Sequence, residues 1–315
     1  MPRFRVRTLC ALVAVLALTA AACDSDGNGE GDGSEPAEST TTTTAAALPD
    51  PIADQTPPVG TNGIADPGDG TFWIADLNGS QVLRVDASSG AILARYGAAE
   101  GVNSPDDVAV ADDGSVYYTG LGAGEVGRID PDGTVEVVAE VPVGVNPIAF
   151  TDDGRLFVGL EKDAPEDAVY EIDITGDTEP RLVGSDLGRV NAFAFGPDGL
   201  LYGPGFGLDG AGTLRRIDVE TGESTVVTDG FGFPVSVRFG DDGTAYVLQT
   251  AQPTLWSVDI ETGEKTEVGT PTTELVDNFT LTDDGFAVTA FNAPTVTLMS
   301  SDGSVTGTLT IGTPT

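Results

Sequence analysis

Residues 189–203 read RVNAFAFGPDGLLYG. An asparagine opens an alternating apolar run, an Asp-Gly pair supplies the positive φ that a tight hairpin turn demands, and a second β-favouring run follows. The pattern recurs along the chain. Eight residues separate Asn191 from its turn glycine, Gly199, and the same offset joins Asn62 to Gly70, Asp106 to Gly114, Asn146 to Gly154, Val235 to Gly243 and Asp277 to Gly285. These reference residues follow one another at intervals of 44, 40, 45, 44 and 42, so residues 58–315 divide into six units.

Each unit continues with a second short strand (TFWIADL, SVYYTGL, RLFVGL, LLYGPGF, TAYVLQT, FAVTAF) and a third that ends at Asp86, Asp130, Asp173, Asp218, Asp259 or Asp302. A fourth, such as VEVVAEV or STVVT, completes most units. Four antiparallel strands every 40 to 45 residues predict an all-β fold, a six-bladed β-propeller, its core spread between neighbouring blades. No sustained helical period occurs after residue 57. The segment ADQTPP before the first unit is polar and proline-rich, so an N-terminal strand completing the last blade is not evident.

Charge narrows the function. The chain carries 14 Lys+Arg against 50 Asp+Glu, a net charge of -36, and only two lysines, Lys162 and Lys265. Nucleic acid and anionic lipid headgroups are unsuitable partners for such a surface. There is no histidine, which excludes Ser-His-Asp and Cys-His catalysis, His-ligated zinc and a His general base.

The first 22 residues, MPRFRVRTLCALVAVLALTAAA, have a basic start, an apolar run of secretory length and a small-residue end, the pattern of an export signal. LTAAAC, ending at Cys23, resembles a bacterial lipobox, which implies cleavage and lipidation of Cys23, with the protein held at the outer side of a membrane only through that lipid. Residues 23–57 are rich in Gly, Ser, Thr, Pro and acid and read as a disordered tether. Asp24, Asp26, Asn28, Gly29 and Glu35 match an EF-hand loop pattern there, yet no helix-forming stretch flanks them, and a chance match in acidic sequence accounts for them better. With Cys10 lost and Cys23 acylated, no thiol remains for a disulfide or a nucleophile.

In a propeller the first strand of each blade lines the central channel, so the reference positions face one mouth. Read round, they are Asn62, Asp106, Asn146, Asn191, Val235 and Asp277. Two readings compete for this ring. Asn and Asp suit a loop-to-strand junction, where their side chains satisfy nearby backbone donors. Converging amides and carboxylates also make an oxygen cage for Ca²⁺, with Asn62, Asp106, Asn146, Asn191 and Asp277 as ligands. Two acids facing across the channel would repel and raise at least one pKa unless a cation lay between them.

Six blades, N-x-apolar-x-apolar-x-x-D-G strands and an asparagine ring together resemble the gluconolactonase and senescence-marker-protein family, and more distantly NHL-repeat propellers. The resemblance spans residues 58–315. It implies a calcium ion at the channel mouth, held by a glutamate, two asparagines and an aspartate, and hydrolysis of lactones or esters. Asn146 and Asn191 match the two asparagines. Asn62 stands where the glutamate is expected and Val235 where the catalytic aspartate belongs, so Asp106 and Asp277 become the candidate catalytic acids. The rival expectations are a non-catalytic binding propeller for a small molecule or a surface protein, and a purely structural ring. A monomer is expected.

Other motifs read as structure. GAGEVG, Gly122 to Gly127, matches GxGxxG but turns straight into a strand, as a hairpin does. Trp73, Tyr117, Phe157, Tyr202 and Tyr246 each lie three residues after their turn glycine, a period that fits packing between blades. Arg84, Arg128 and Arg216, two residues before third-strand acids, are expected to pair with carboxylates. PEDA at 165–168 and FGLDGAGT from Phe206 lengthen two loops that would cover a ligand if they lie at the mouth.

Overall fold

The computed structural model describes residues 47–163, 165–207 and 211–312; the export signal, Cys23 and the calcium-loop-like stretch 24–35 lie outside them. The described chain forms six four-stranded sheets, each built from four consecutive antiparallel strands, and no helix occurs among the described residues. The blades span 64–96, 105–140, 145–185, 194–232, 234–269 and 276–310. Their first strands are Ile64–Ala65, Pro105–Val110, Val145–Phe150, Ala194–Phe195, Pro234–Phe239 and Val276–Thr282. Each of these touches the first strands of both neighbouring blades, and the ring closes between the first and the last.

The turn chemistry explains why the strands fold back where they do. Gly199 has φ +76, a conformation strained for any side chain but free for glycine, and the five other turn glycines also have positive φ. At the next turn of the same face, the Asp86, Asp173, Asp218, Asp259 and Asp302 carboxylates accept the backbone N–H two residues on, at 2.8–3.0 Å. Asp130 instead pairs with Arg128 at 2.8 Å. Arg84 pairs with Asp69 at 2.6 Å, whereas Arg216 lies against Tyr202 and has no carboxylate partner among the described residues.

Packing between blades holds the ring. Tyr117 meets Phe150 of the next blade, Phe157 meets Phe195, Tyr202 meets Phe239 and Tyr246 meets Phe286, with ring centroids 4.9–5.3 Å apart at steep angles. Trp73 stacks within its own blade on Tyr96. GAGEVG is a hairpin turn between Val116–Gly120 and Glu125–Ile129, as its lack of a helix predicts.

Blade six is complete in itself, so the seam with blade one needs other fastenings. Residues 47–61 climb the outer edge of blade one: Ile52 N–H donates to the Ile92 carbonyl, and Gln55 exchanges hydrogen bonds with Ile92 through both side-chain atoms. Asp76 then accepts from the N–H groups of Val59 and Gly60. Thr61 crosses to blade six, donating its N–H to the Ala290 carbonyl and its hydroxyl to the Thr295 carbonyl. Beneath it, Ile64, Phe72, Ile74 and Ile92 share one apolar cluster with Val296, Leu309 and Ile311.

Candidate functional site at the channel mouth

Strand direction fixes which groups meet. In every blade the start of the first strand, the end of the second and the linker from the preceding blade lie on the same face, called upper below. Asn62, Asp106, Asn146, Asn191 and Val235 are buried there, and Asp277 is half-buried. The six reference positions therefore ring the channel from six blades. They do not play equal parts.

Asn62 accepts the Leu77 N–H on its Oδ1 at 3.2 Å, so its buried Nδ2 is turned to Asp277, whose charged form it favours. Metal ligation by Asn62 would need that amide turned round. Asn146 donates its Nδ2 to Glu161 Oε2 at 2.8 Å, which leaves its Oδ1 for the channel. Asn191 Oδ1 accepts from the Ala192 N–H at 2.7 Å, the junction role open to any Asn at a strand entry.

Glu161 joins the ring without having been expected from the repeat. It follows the second strand of blade three, Leu156–Leu160, and antiparallel pairing brings it to the upper face beside Asn146. Arg189, from the linker into blade four, reaches Glu161 at 3.4 Å and Asp163 at 3.3 Å. Burial raises the Glu161 pKa, and Arg189 and the Asn146 amide oppose the rise.

One step down the channel lies a second tier. Asp107, Ser236 and Asn278, each directly after a reference residue, are buried, and Arg238 lies beside them. Asn278 Nδ2 donates to Asp107 Oδ1 at 2.9 Å, while Asn278 Oδ1 accepts from Ser236 Oγ at 2.7 Å and Arg238 Nη2 at 2.9 Å. Asp107 Oδ2 is left without a partner. Strict alternation would send consecutive residues to opposite faces. The register shifts between Pro105 and Val108, Pro234 and Ser236, and Val276 and Phe279, and these bulges turn two successive residues toward the axis.

The electrostatics are those of a site short of positive charge. Burial pushes Asp106 well above the usual carboxylate range, with Asp277, Asp107 and Glu161 adding to the rise. Asp277 is pushed up to about 7, first by burial and then by Glu161 and Asp107, while Asn62 opposes. Asp107 reaches about 6 through burial, with Arg238 holding it down. Like charges buried together keep a proton or take a cation. The donors are all oxygens, as a hard cation prefers, and in that respect they fit Ca²⁺. No three carboxylates among the described residues stand close enough to hold a metal ion by themselves, so amide oxygens would have to complete the set.

Phe206 ends a second strand and the PEDA stretch follows one, so both belong to the upper face, while residues 208–210 of the longer loop lie outside the described residues. No protein-family profile matches the chain, and no curated protein matches it. Solved structures do. A streptogramin B lyase is 18% identical over 84% of this chain and 86% of that one, with a TM-score of 0.62. A catalytically inactive His-to-Ala variant of virginiamycin B lyase from Staphylococcus aureus, solved with quinupristin, is 18% identical over 83% and 87%, with a TM-score of 0.60. A gluconolactonase from Xanthomonas campestris is 18% identical over 63% and 73%, with a TM-score of 0.52. The chain shares the propeller fold with all three, gluconolactonase-type propellers included.

Proposed function

We propose that the upper mouth is a cation-dependent site for a small organic molecule. The observation behind this reading is the pair Asp106 and Asp277, brought from blades two and six into one buried setting where each acid is driven toward its protonated form. Asp106, Asp277, Asn146 and Asn191 would hold the cation, and the Asn62 Nδ2, turned to Asp277, would donate to an oxygen of the bound molecule. A bound Ca²⁺ would neutralise the carboxylates and polarise a carbonyl oxygen.

A lactone or ester hydrolase is the catalytic version of this reading. Its support is the placement of Asp106 beside Asp277 at the mouth, where one carboxylate would hold the cation and the other would take a proton from water. Val235, apolar where the gluconolactonase resemblance asks for the catalytic aspartate, favours binding without turnover. Lyase chemistry of the kind lost in the His-to-Ala virginiamycin B lyase is closed to this chain, which has no histidine. Export and lipidation at Cys23 belong to the same proposal; radiolabelled palmitate should enter the wild-type chain and not a Cys23→Ser variant.

Thermal unfolding with excess Ca²⁺ and with chelator tests the site. At about 100 times the dissociation constant a specific cation adds about 2.7 kcal/mol, roughly 5–10 °C for a domain of this size. Asp277→Ala should remove most of that gain. Equal midpoints in the two solutions would remove the cation. A panel of lactones and aryl esters then reads turnover, and rates no faster than those of an Asp106→Asn control would leave a binding protein.

A further inference from the structure

The third residue after each reference position pairs with a second-strand residue at the boundary with the following blade. Ala65 pairs with Trp73, Ala109 with Tyr117, Ala149 with Phe157, Ala194 with Tyr202, Arg238 with Tyr246 and Thr280 with Ala287. Five blades put an aromatic ring at this place. Blade six puts a methyl group there, because Thr282 pairs with Gly285 across a two-residue turn, one residue shorter than the turn from Ala111 to Ser115 in blade two.

Elsewhere the ring has two kinds of company. Arg84 lies 5.8 Å from the Trp73 ring and Arg155 5.1 Å from that of Phe157, and each guanidinium is held by a carboxylate, Asp69 at 2.6 Å and Glu171 at 2.7 Å. Phe150, Phe195 and Phe239, four residues after their reference positions, close the next boundary against the rings of Tyr117, Phe157 and Tyr202. In blade one the residue at that position is Asp66, and opposite Ala287 stands Leu298, where Trp73, Tyr117 and Tyr202 face an arginine. The seam thus keeps a carboxylate but has neither ring nor cation.

A cavity of ≈ 320 Å³ opens at this point, on the face opposite the channel mouth, lined by Asp66, Phe72 and Ala87 of blade one and by Thr282, Asp283 and Leu298 of blade six. A cavity of about 150 Å³ already holds a benzene ring. Asp66 Oδ1 accepts the Gly68 N–H at 2.8 Å. Burial raises the Asp66 pKa, that bond opposes the rise, and Asp283 and Asp69 add to it. No ion pair reaches Asp66 or Asp283 among the described residues.

We propose that the seam cavity binds an arylalkyl ammonium ion, its ring on Phe72 and Leu298 and its cationic group against Asp66 and Asp283. The precedent is the fold's own: such a ligand restores at the seam the ring, cation and carboxylate that Trp73, Arg84 and Asp69 assemble within blade one. An anionic ring would meet only like charge at the cavity rim. This site stands apart from the channel mouth and does not depend on what binds there.

Calorimetric titration of the protein with 2-phenylethylammonium, n-butylammonium and 3-phenylpropionate tests the proposal. The first is expected to bind about tenfold or more tightly than the second, which has no ring, and than the third, which reverses the charge. Ala287→Phe supplies the ring from the chain and should exclude the phenyl compound. Asp66→Asn leaves the packing as it is and should weaken that compound about tenfold, whereas Glu179→Gln, at an exposed acid elsewhere, should not. Equal affinity for the three compounds would overturn the proposal. So would phenylethylammonium binding that Asp66→Asn leaves unchanged, which would move the amine to another acidic surface such as the channel mouth.

Discussion

Asn278 and Asp107 join blade six to blade two across the channel, Nδ2 to Oδ1, at 2.9 Å. The same amide accepts from Arg238 and Ser236, so one neutral side chain lies between a buried acid and the one guanidinium that offsets it. Burial lowers the Arg238 pKa, and the charge of nearby Asp107 raises it.

Asn278→Leu should therefore destabilise the protein by about 2–4 kcal/mol, because it strips partners from Arg238, Ser236 and Asp107 at once. Asp107→Asn keeps an acceptor for Asn278 and for the Val108 N–H, and should stay within about 1 kcal/mol of wild type. Urea unfolding measures both. Equal losses in the two variants would show that the acid, and not the amide bridge, is the sensitive element.

The pH dependence follows from the raised acids. Asp277 near 7 and Asp107 near 6 hold protons more tightly when folded than when unfolded, where such acids titrate near 3.8. Between about pH 4 and 7 the folded state binds more protons, so stability falls as pH rises through that window. Turn acids held low, such as Asp218 and Asp259, act with the opposite sign only at lower pH. In chelator, Asp277→Asn should reduce the slope by up to about 1.4 kcal/mol per pH unit. A wild-type slope in that variant would detach Asp277 from the effect.

The difference between what the sequence announced and what it hid lies in the backbone. Turn glycines at a fixed eight-residue offset mark all six blades, and Asp106 and Asp277 could be placed face to face from the repeat alone, with their mutual repulsion. Asp107, Asn278 and Arg238 escaped because a bulge makes consecutive residues share a face, and period-two reasoning assigns them to opposite ones. Glu161 was visible only as the residue after RLFVGL, where pairing with the start of the first strand carries it back to the mouth. The left-handed φ of Phe233 and Leu275 has no sequence signal at all, since the residue types argue against it.

Closure makes the last prediction. Five blade boundaries are crossed by the chain itself, whereas among the described residues blades six and one are joined by side chains, the strap of residues 47–61, the bonds of Thr61 and the Gly312 N–H donated to the Gly90 carbonyl. Thr61→Val keeps the shape and removes a hydroxyl that both donates to Thr295 and accepts from the buried Ala290 N–H, a loss of about 1–3 kcal/mol. Thr119→Val removes a similar bridge, from the Asp107 N–H to the Asn146 carbonyl, at a boundary the chain spans covalently. Local opening should differ accordingly. Hydrogen exchange is expected to rise in blades one and six of Thr61→Val before the rest of the ring, because an opened seam there meets no linker to reseat it. In Thr119→Val the rise should be spread over the whole propeller. The same pattern in both variants would mean that blade packing alone, and not the seam, sets the order in which the ring opens.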